Sequence, residues 1–475
     1  MWRHMVAGGR AVVLGGGIAG LCAAQALMRR FDDVVLVERD RFPDGPKWRR
    51  GVPHSGHAHN LFQSGLAALE RLFPGIEDEL VAHGIRRVRM PDDVLLLTPG
   101  GWMRRFEGRH VMLTGSRELL DWVVRTRIET GGRARIRDGC EVTGVRVDAG
   151  EVTGVEVRER NANGDGWGEP AQLAADLVVD ATGRHSRAAE WLRRWGYGVP
   201  QETVIDSRTV YATCVFKRPD THDADWESVL IQATTDAPQA GILIPLEGDR
   251  WLVSLALVGA DRAPAGVKEF REVAERMRSP IIAEALEKAE PLTPVSAYGV
   301  TENRWRRFDA LDDFPRRLVL VGDSAGYLNP SYSQGVSVAA RTAVALDRAL
   351  AEAPTLDAAV TALREEAGRI FQPAWKLSVG SDLRWLPAVR LPLRGRILQW
   401  YMQRLVEVAA HHRRTALALL DALHMTGADT ALFHPAVVLA VLRGARGGDV
   451  FPTPKPVRRP GKPGDQPGDQ ARRTT

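Results

Sequence analysis

The sequence predicts an α/β fold, with a parallel-stranded domain, an antiparallel-sheet layer inserted into it and a helical C-terminal region. Three observations predict it. The apolar run Ala11–Leu14 opens into the glycines of GGGIAG, then into LCAAQALMRR with its helical spacing, then into a second apolar run, Val34–Glu38. Strand-to-glycine turns recur in DLVVDATG at Asp180 and in LVLVGDSAG at Asp323. Between those two turns, from Val204 to Val258, the pattern changes to the strand-like runs TVYATCVF, VLIQAT, GILIPL and WLVSLALV.

Taken in order, the first two runs and the helix between them make a βαβ unit. The turn-rich stretch RDRFPDGPKWRRGVPHSGHAH follows, then an amphipathic helix over Leu61–Phe73. Residues 94–97 and 102–106 suggest strands in a short excursion. Ser116–Thr130 reads as a helix with Ser116 as N-cap and Leu119, Leu120 and Val123 on one face. The near-repeats VTGVRV from Val142 and VTGVEV from Val152 flank the turn residues DAGE, so they read as a hairpin. Leu177–Asp180 and Leu318–Val321 are buried-type strands, Val267–Ala289 is helical, and a helix starting near Gln334 covers Val336–Ala351. The rest to about Arg443 is mostly helical with proline breaks. The expected organisation is a cofactor domain in three pieces, 1–90, 111–190 and 296–350, with a substrate-layer excursion at 91–110. An antiparallel-sheet substrate domain at 191–295, a helical region at 351–449 and a disordered tail at 450–475 complete it.

The 475 residues suffice for two or three domains. No run of about 18 uncharged apolar residues occurs, so no transmembrane segment is expected. Cys22, Cys140 and Cys214 are odd in number and widely spaced, which argues against a disulfide framework and fits a reducing cytoplasm. The net charge of +5 is mostly a property of the tail, which carries six basic and two acidic residues from Val450 onward. The remainder is too nearly balanced to offer a nucleic-acid-binding face.

The glycines carry the first chemistry. Gly15 permits the tight turn, Gly17 lets the backbone approach a pyrophosphate, and Gly20 lets the helix pack on its strand, with Ala19 inside the same turn. The phosphate then sits on the positive helix end. Glu38, with Arg39 after it, ends the second strand, where a carboxylate accepts hydrogen bonds from a ribose diol and repels a 2′-phosphate. Asp323, preceded by Gly322 and followed by Pro330, can contact the ribityl chain of a flavin; its bland alternative is an N-cap. The helix start at Gly335 and Val336 can stabilise negative charge on a reduced flavin. Gly183 closes the third turn. Repeated strand–glycine turns suit an extended FAD and have no use in an ordinary nicotinamide dehydrogenase. The first domain is therefore expected to be Rossmann-like and to bind FAD.

The order GGGIAG, Glu38, SRELLDWVVR, DLVVDATGRHSR and LVGDSAGYLNP resembles the flavoprotein monooxygenases of the aromatic-hydroxylase and squalene-epoxidase type, over roughly residues 10–350. RRGVPHSGHAHNLFQSGLAALERLFPG, DSRTVYATCVFKRP and LFHPAVVLAVLRG are similar to bacterial FAD-dependent epoxidases acting on polyene precursors of polyether antibiotics. The resemblance implies that Arg117 contacts the flavin side chain and that the Val142 backbone meets the adenine. It implies oxygen insertion from O2 through a flavin C4a-hydroperoxide into C=C bonds of an apolar polyketide or isoprenoid-like small molecule. ATGRHSR stands where aromatic hydroxylases carry an Asp-Gly pair.

Other readings stay open. GDSAGYLNPSYSQGV also resembles the turn of geranylgeranyl reductases, which saturate prenyl double bonds, and aromatic hydroxylation is a further alternative. Halogenation ranks low, because GILIPLEGDRW has the Ile-Pro of a WxWxIP signature without its tryptophans. A flavin-binding protein without catalysis ranks lower. His54, His57 and His59 are expected beside the flavin and not on a metal, since no Cys or acid pattern completes a site. Trp48 and Arg50 are expected to serve loop packing and phosphate contact. Tyr211, Phe216 and Trp251 divide between core and substrate site. Only one dinucleotide fingerprint is present, so electrons come either from transiently docked NAD(P)H or from a separate flavin reductase. No paired carboxylates or triad demand a catalytic role; the flavin carries the chemistry.

Overall fold

The computed structural model describes residues 8–444 except 162, 164 and 428. The segment 450–475, expected to be a disordered tail, lies outside the described residues.

Five parallel strands form the central sheet, in the spatial order Leu318–Leu320, Leu177–Asp180, Arg10–Leu14, Asp33–Val37 and Ala134–Arg137. Four of its strands are apolar at almost every position because both faces are covered, while the edge strand Ala134–Arg137 carries Arg135 and Arg137 and is only partly buried. Ala11, Val13, Val34, Leu36 and Val179 pack on helices Ile18–Leu27, Gly335–Glu352 and Leu356–Asp382. Their alternates Val12, Leu14, Val35, Val37 and Val178 pack on the hairpin Cys140–Asp148/Glu151–Glu159 through Val145, Val155 and Val157. Each such Val or Leu side chain contributes about 1.5–3 kcal/mol on burial. The hairpin turn places Ala149 at φ 45° and Gly150 at φ 75°, both left-handed as a two-residue turn of this twist requires.

The inserted layer is a seven-stranded sheet in the order Ser296–Tyr298, Thr209–Lys217, Arg250–Val258, Gln239–Leu246, Ser228–Ile231, Val94–Thr98, Gly101–Trp102. It is antiparallel apart from the pairing of Ser228–Ile231 with Val94–Thr98. Its outer face, with Ala212, Cys214, Phe216, Trp251, Val253 and Leu255, packs on helices Val267–Glu275 and Ile281–Leu286.

Several local expectations need correction. The helix expected over Val267–Ala289 is two helices, because Pro280 cannot donate the backbone bond that continuation needs. The strand expected at 102–106 ends at Trp102; the next strand is His110–Thr114, paired with Arg86–Met90 and Asn60–Leu61. Pro373 lies inside helix Leu356–Asp382 without ending it, whereas Pro392 and Pro435 mark helix starts.

Candidate functional site

The nucleotide end is built by backbone. Gly15 sits at φ +98°, and a Cβ there would lie 2.5 Å from the Ala181 carbonyl oxygen. A Cβ on Gly20 would overlap the Gly15 carbonyl oxygen, so strand and helix touch only because this residue has no side chain. Gly17 differs: a Cβ there meets nothing within 4 Å. It is the N-cap of helix Ile18–Leu27, and no side chain caps the helix. The orphan N–H groups of that first turn therefore face open space, as an anion site requires. Ala19 meets Gly322, where an added Cβ would lie 2.6 Å from the Ala19 methyl. Two candidate residues more than three hundred positions apart thus share one wall.

Glu38 is buried and accepts from Gly16 N–H at 2.7 Å and Asp40 N–H at 2.9 Å. Arg49 pairs with it at 3.1 Å, donates to the Gly16 carbonyl at 2.8 Å and stacks over Phe42. This cation was missed: Arg49, not Arg50, enters the site, while Arg50 is exposed and Trp48 packs against little, being 56% exposed. A carboxylate has about four lone-pair positions, so Glu38 keeps capacity for a ribose hydroxyl. Arg39 points outward, 3.6 Å from Glu141. The Cys140 N–H donates to the Glu38 carbonyl at 2.8 Å, which brings the strand carrying Val142 alongside; Val142 itself pairs with Val157.

At the other end, Asp180 is a fully buried hub. It accepts from the Thr182 N–H at 2.9 Å and from the hydroxyls of Thr182, Ser186 and Ser324 at 2.6, 2.6 and 3.2 Å. Ser324 Oγ also accepts from the Gly183 N–H at 2.9 Å, so the turns at Gly183 and Gly322 are bonded together. Asp180 is thereby consumed structurally. Asp323 is not. No donor among the described residues meets its carboxylate, and it caps no helix. Burial raises its pKa, and the cations Arg184, Arg117 and Arg306 oppose that rise. The N-cap alternative therefore fails. Helix Gly335–Glu352 likewise starts without a side-chain cap, and a Cβ on Gly335 would meet nothing within 4 Å. Val336 follows in its first turn, buried against the core. Pro330 opens a short 3-10 turn capped by Asn329, whose side chain accepts from Ser331 N–H at 3.1 Å. Arg117, buried at the start of helix Arg117–Thr130, is oriented by Asp121 at 2.7 Å.

The histidine loop closes the space between. His57 Nδ1 bonds the Thr213 hydroxyl at 2.6 Å, and Thr213 bonds Ser254 at 2.5 Å. The His57 and Tyr298 rings are 5.3 Å apart, and the Arg184 guanidinium donates to the Tyr298 hydroxyl. The charges of Arg117 and Arg184 reach both His54 and Asp323, so residues from four distant segments converge. Burial is the main cause that pushes His57 down to about 4, His59 to about 3 and His54 well below its ordinary value. These rings are neutral at pH 7. Among the described residues no group of three or more His, Cys, Asp or Glu could hold a metal ion.

The sheet face turned to this space carries Tyr211, Thr213, Ser254 and the apolar set Val215, Ile242, Ile244 and Leu252, with Ala58 of the loop packed on it. Tyr211 donates to Asn329 at 2.7 Å. Phe216 and Trp251 are on the opposite face, in the core with Phe270 and Trp226. Arg184 and Tyr298 were not singled out as a pair, because nothing local links residues that far apart.

Two open, uncapped helix starts, an unpartnered Asp323 and a buried carboxylate at the second strand end fit an extended dinucleotide. Comparison with known proteins agrees. The FAD binding domain model matches residues 10–367. The chain is 29% identical over 409 residues to Protein Rv3254 of Mycobacterium tuberculosis, covering 81% of this chain and 82% of that protein. It is 26% identical to 6-methylpretetramide 4-monooxygenase of Streptomyces rimosus over 72% of this chain and 74% of the relative. In fold it is similar to flavin-dependent brominase Bmp2, with TM-score 0.65 at 15% identity, covering 92% of this chain and 98% of that one. The chain belongs to the FAD binding domain family and is an FAD-dependent enzyme of the flavoprotein monooxygenase type.

Proposed function

We propose that the chain inserts one oxygen atom from O2 into C=C bonds of an apolar polyketide or isoprenoid-like precursor. FAD, when bound, supplies the oxygen-activating chemistry, with O2 and reducing equivalents as co-substrates. In this reading Gly15, Gly17, Ala19 and Gly20 make room for the pyrophosphate on the first helix, and Glu38 with Arg49 holds the adenosine ribose. Arg39 and the Val142 backbone border the adenine. Arg117 and Asp323 hold the flavin side chain, Gly183, Gly322 and Pro330 shape its wall, and Gly335 and Val336 present N–H groups to the ring.

The observation that carries the epoxidation reading is the composition of the sheet face. Its lining is aliphatic, its polar groups are neutral hydroxyls, and the nearby histidines are neutral. Such a face positions an alkene and excludes water, and it demands no charged partner on the substrate. A second reading, aromatic hydroxylation, is favoured by the His57–Thr213–Ser254 chain, which could accept a proton from a phenol.

The test is turnover of a polyene and of a phenol under labelled oxygen with a reductant and a flavin reductase. Label in an epoxide of the polyene supports the proposal. Label confined to the phenol favours hydroxylation. Saturated product formed without oxygen assigns the enzyme to the prenyl reductases.

A further inference from the structure

One segment is unused by the cofactor or the substrate face. Helix Leu393–Ala409 buries its second half through Tyr401, Leu405 and Val408. Its first half projects. Leu393, Ile397 and Trp400 are 69%, 56% and 52% exposed, and Leu398 lies beside them, also exposed. Spaced i, i+4, i+7, the first three share one face. Val389, just before the helix, is exposed as well.

The charge of this segment is of one sign. From Leu383 to Arg404 the chain carries five arginines and no Asp or Glu. Arg390, Arg394 and Arg396 are exposed, and none makes an ion pair with a described residue.

We infer that this projecting half-helix docks on the surface of an anionic lipid bilayer. Exposed Leu, Ile and Trp interleaved with arginines are what an interfacial helix needs: apolar side chains reach the acyl boundary while the guanidinium groups meet lipid phosphates. Spanning is excluded for the described helices, none of which is long and apolar enough to cross a membrane. The alternative occupant, a second copy, meets a physical objection. A two-fold interface sets a patch against itself, and here it would bring arginines against arginines with no acid between. The segment is also rooted at the site. Asp382, ending the preceding helix, accepts from Asn303 at 2.7 Å, Asn329 at 3.1 Å and the Tyr332 hydroxyl at 2.8 Å. For the apolar substrate proposed above, docking here places the substrate layer beside the phase in which such a molecule dissolves.

The test is flotation of the full-length, FAD-loaded protein with vesicles of phosphatidylglycerol mixed with phosphatidylcholine, and with phosphatidylcholine alone. Binding to the anionic vesicles only, weakened by salt, is expected. The variant Leu393→Ser/Ile397→Ser/Trp400→Ser should lower the bound-to-free ratio by about tenfold or more. Arg394→Glu/Arg396→Glu should do the same. Unchanged flavin content and melting temperature identify these variants as folded. Three results overturn the inference. One is absence of flotation with any vesicle. Another is undiminished flotation of the triple variant, which assigns binding to the basic residues after 450. The third is a wild-type dimer in sedimentation that the triple variant dissociates, which assigns the patch to a second copy. No turnover is measured, so failure here leaves the oxygen-insertion reading standing.

Discussion

Gly17→Ala and Gly20→Ala add the same methyl group three residues apart, and the structure sets their effects apart. Gly17 has φ −75° and ψ 176°, ordinary extended backbone, and its added methyl would touch nothing within 4 Å. The protein without cofactor should therefore lose only the slight preference of a helix N-cap for Gly over Ala, about 1 kcal/mol at most. The methyl would instead occupy the approach to the first helix turn. Losing one charge-assisted backbone hydrogen bond to a phosphate costs about 1.5–3 kcal/mol, or roughly 10- to 150-fold in FAD affinity. Gly20→Ala acts on the fold itself. Its methyl would overlap the Gly15 carbonyl oxygen and lie 3.0 Å from the carbonyl carbon, and the next neighbour, the Ala181 methyl at 3.4 Å, has no flexible end to yield. Overpacking of this kind costs about 1–3 kcal/mol or more. The assay is FAD titration of the deflavinated proteins together with their melting curves. Gly17→Ala should melt within a few degrees of wild type and bind FAD weakly; Gly20→Ala should lose both properties. Wild-type FAD affinity in Gly17→Ala would refute the placement of the pyrophosphate on this turn.

Asp323→Ala removes a carboxylate without partners, so the deflavinated protein should melt no lower than wild type while FAD affinity falls about tenfold; equal affinity in a titration would make Asp323 a bystander. Acid should destabilise the fold through the histidine loop. His57 and His59 have folded pKa values of about 4 and 3 against an ordinary 6.5, so their contribution is complete above 6.5 and is lost as pH falls towards the folded values. At pH 5 each costs about 2 kcal/mol. Denaturant midpoints should thus fall between pH 7.5 and 5, less so in His57→Gln; an equal fall in that variant would contradict the assignment. Asp323, raised by burial, has the opposite sign and tempers the loss. Phe216→Ala, 6.0 Å from Phe270 on the outer face, should cost about 3–5 kcal/mol of stability without altering substrate KM. Tyr211→Phe, which loses its bond to Asn329, should shift KM or product distribution at normal flavin content. Reversed outcomes in melting and steady-state kinetics would show that the two faces have been exchanged.

The turns at Gly15, Gly183 and Gly322 were legible because their spacing is local: a strand end, a glycine and a helix start lie within a few residues. So were the Ser116 cap and the hairpin at Ala149–Gly150. What stayed hidden depends on partners far along the chain. Nothing in WRRG says which arginine turns inward, since a loop has no period to orient it; Arg49 is selected by Glu38 and Phe42. Alternation in TVYATCVF separates Tyr211 and Thr213 from Ala212, Cys214 and Phe216, but only the helices packed on the second set reveal which face is free. Asp180 looked like one more turn residue, and its role as a hub comes from Ser324, 144 positions away.

That hub also bears on the order of events at synthesis. The hydrogen bond from Gly183 to Ser324 spans 141 residues, and the strand Leu318–Leu320 that completes the central sheet arrives together with Ser324. At roughly 5–20 residues per second, a ribosome needs about 7–28 s to travel from one turn to the other. During that interval Leu177–Asp180 is an apolar parallel strand with one unsatisfied edge. The cofactor cradle cannot close and FAD cannot stabilise the nascent chain. The finished protein buries Leu177–Asp180 fully against Leu318–Leu320, so that edge is open only while the chain is incomplete.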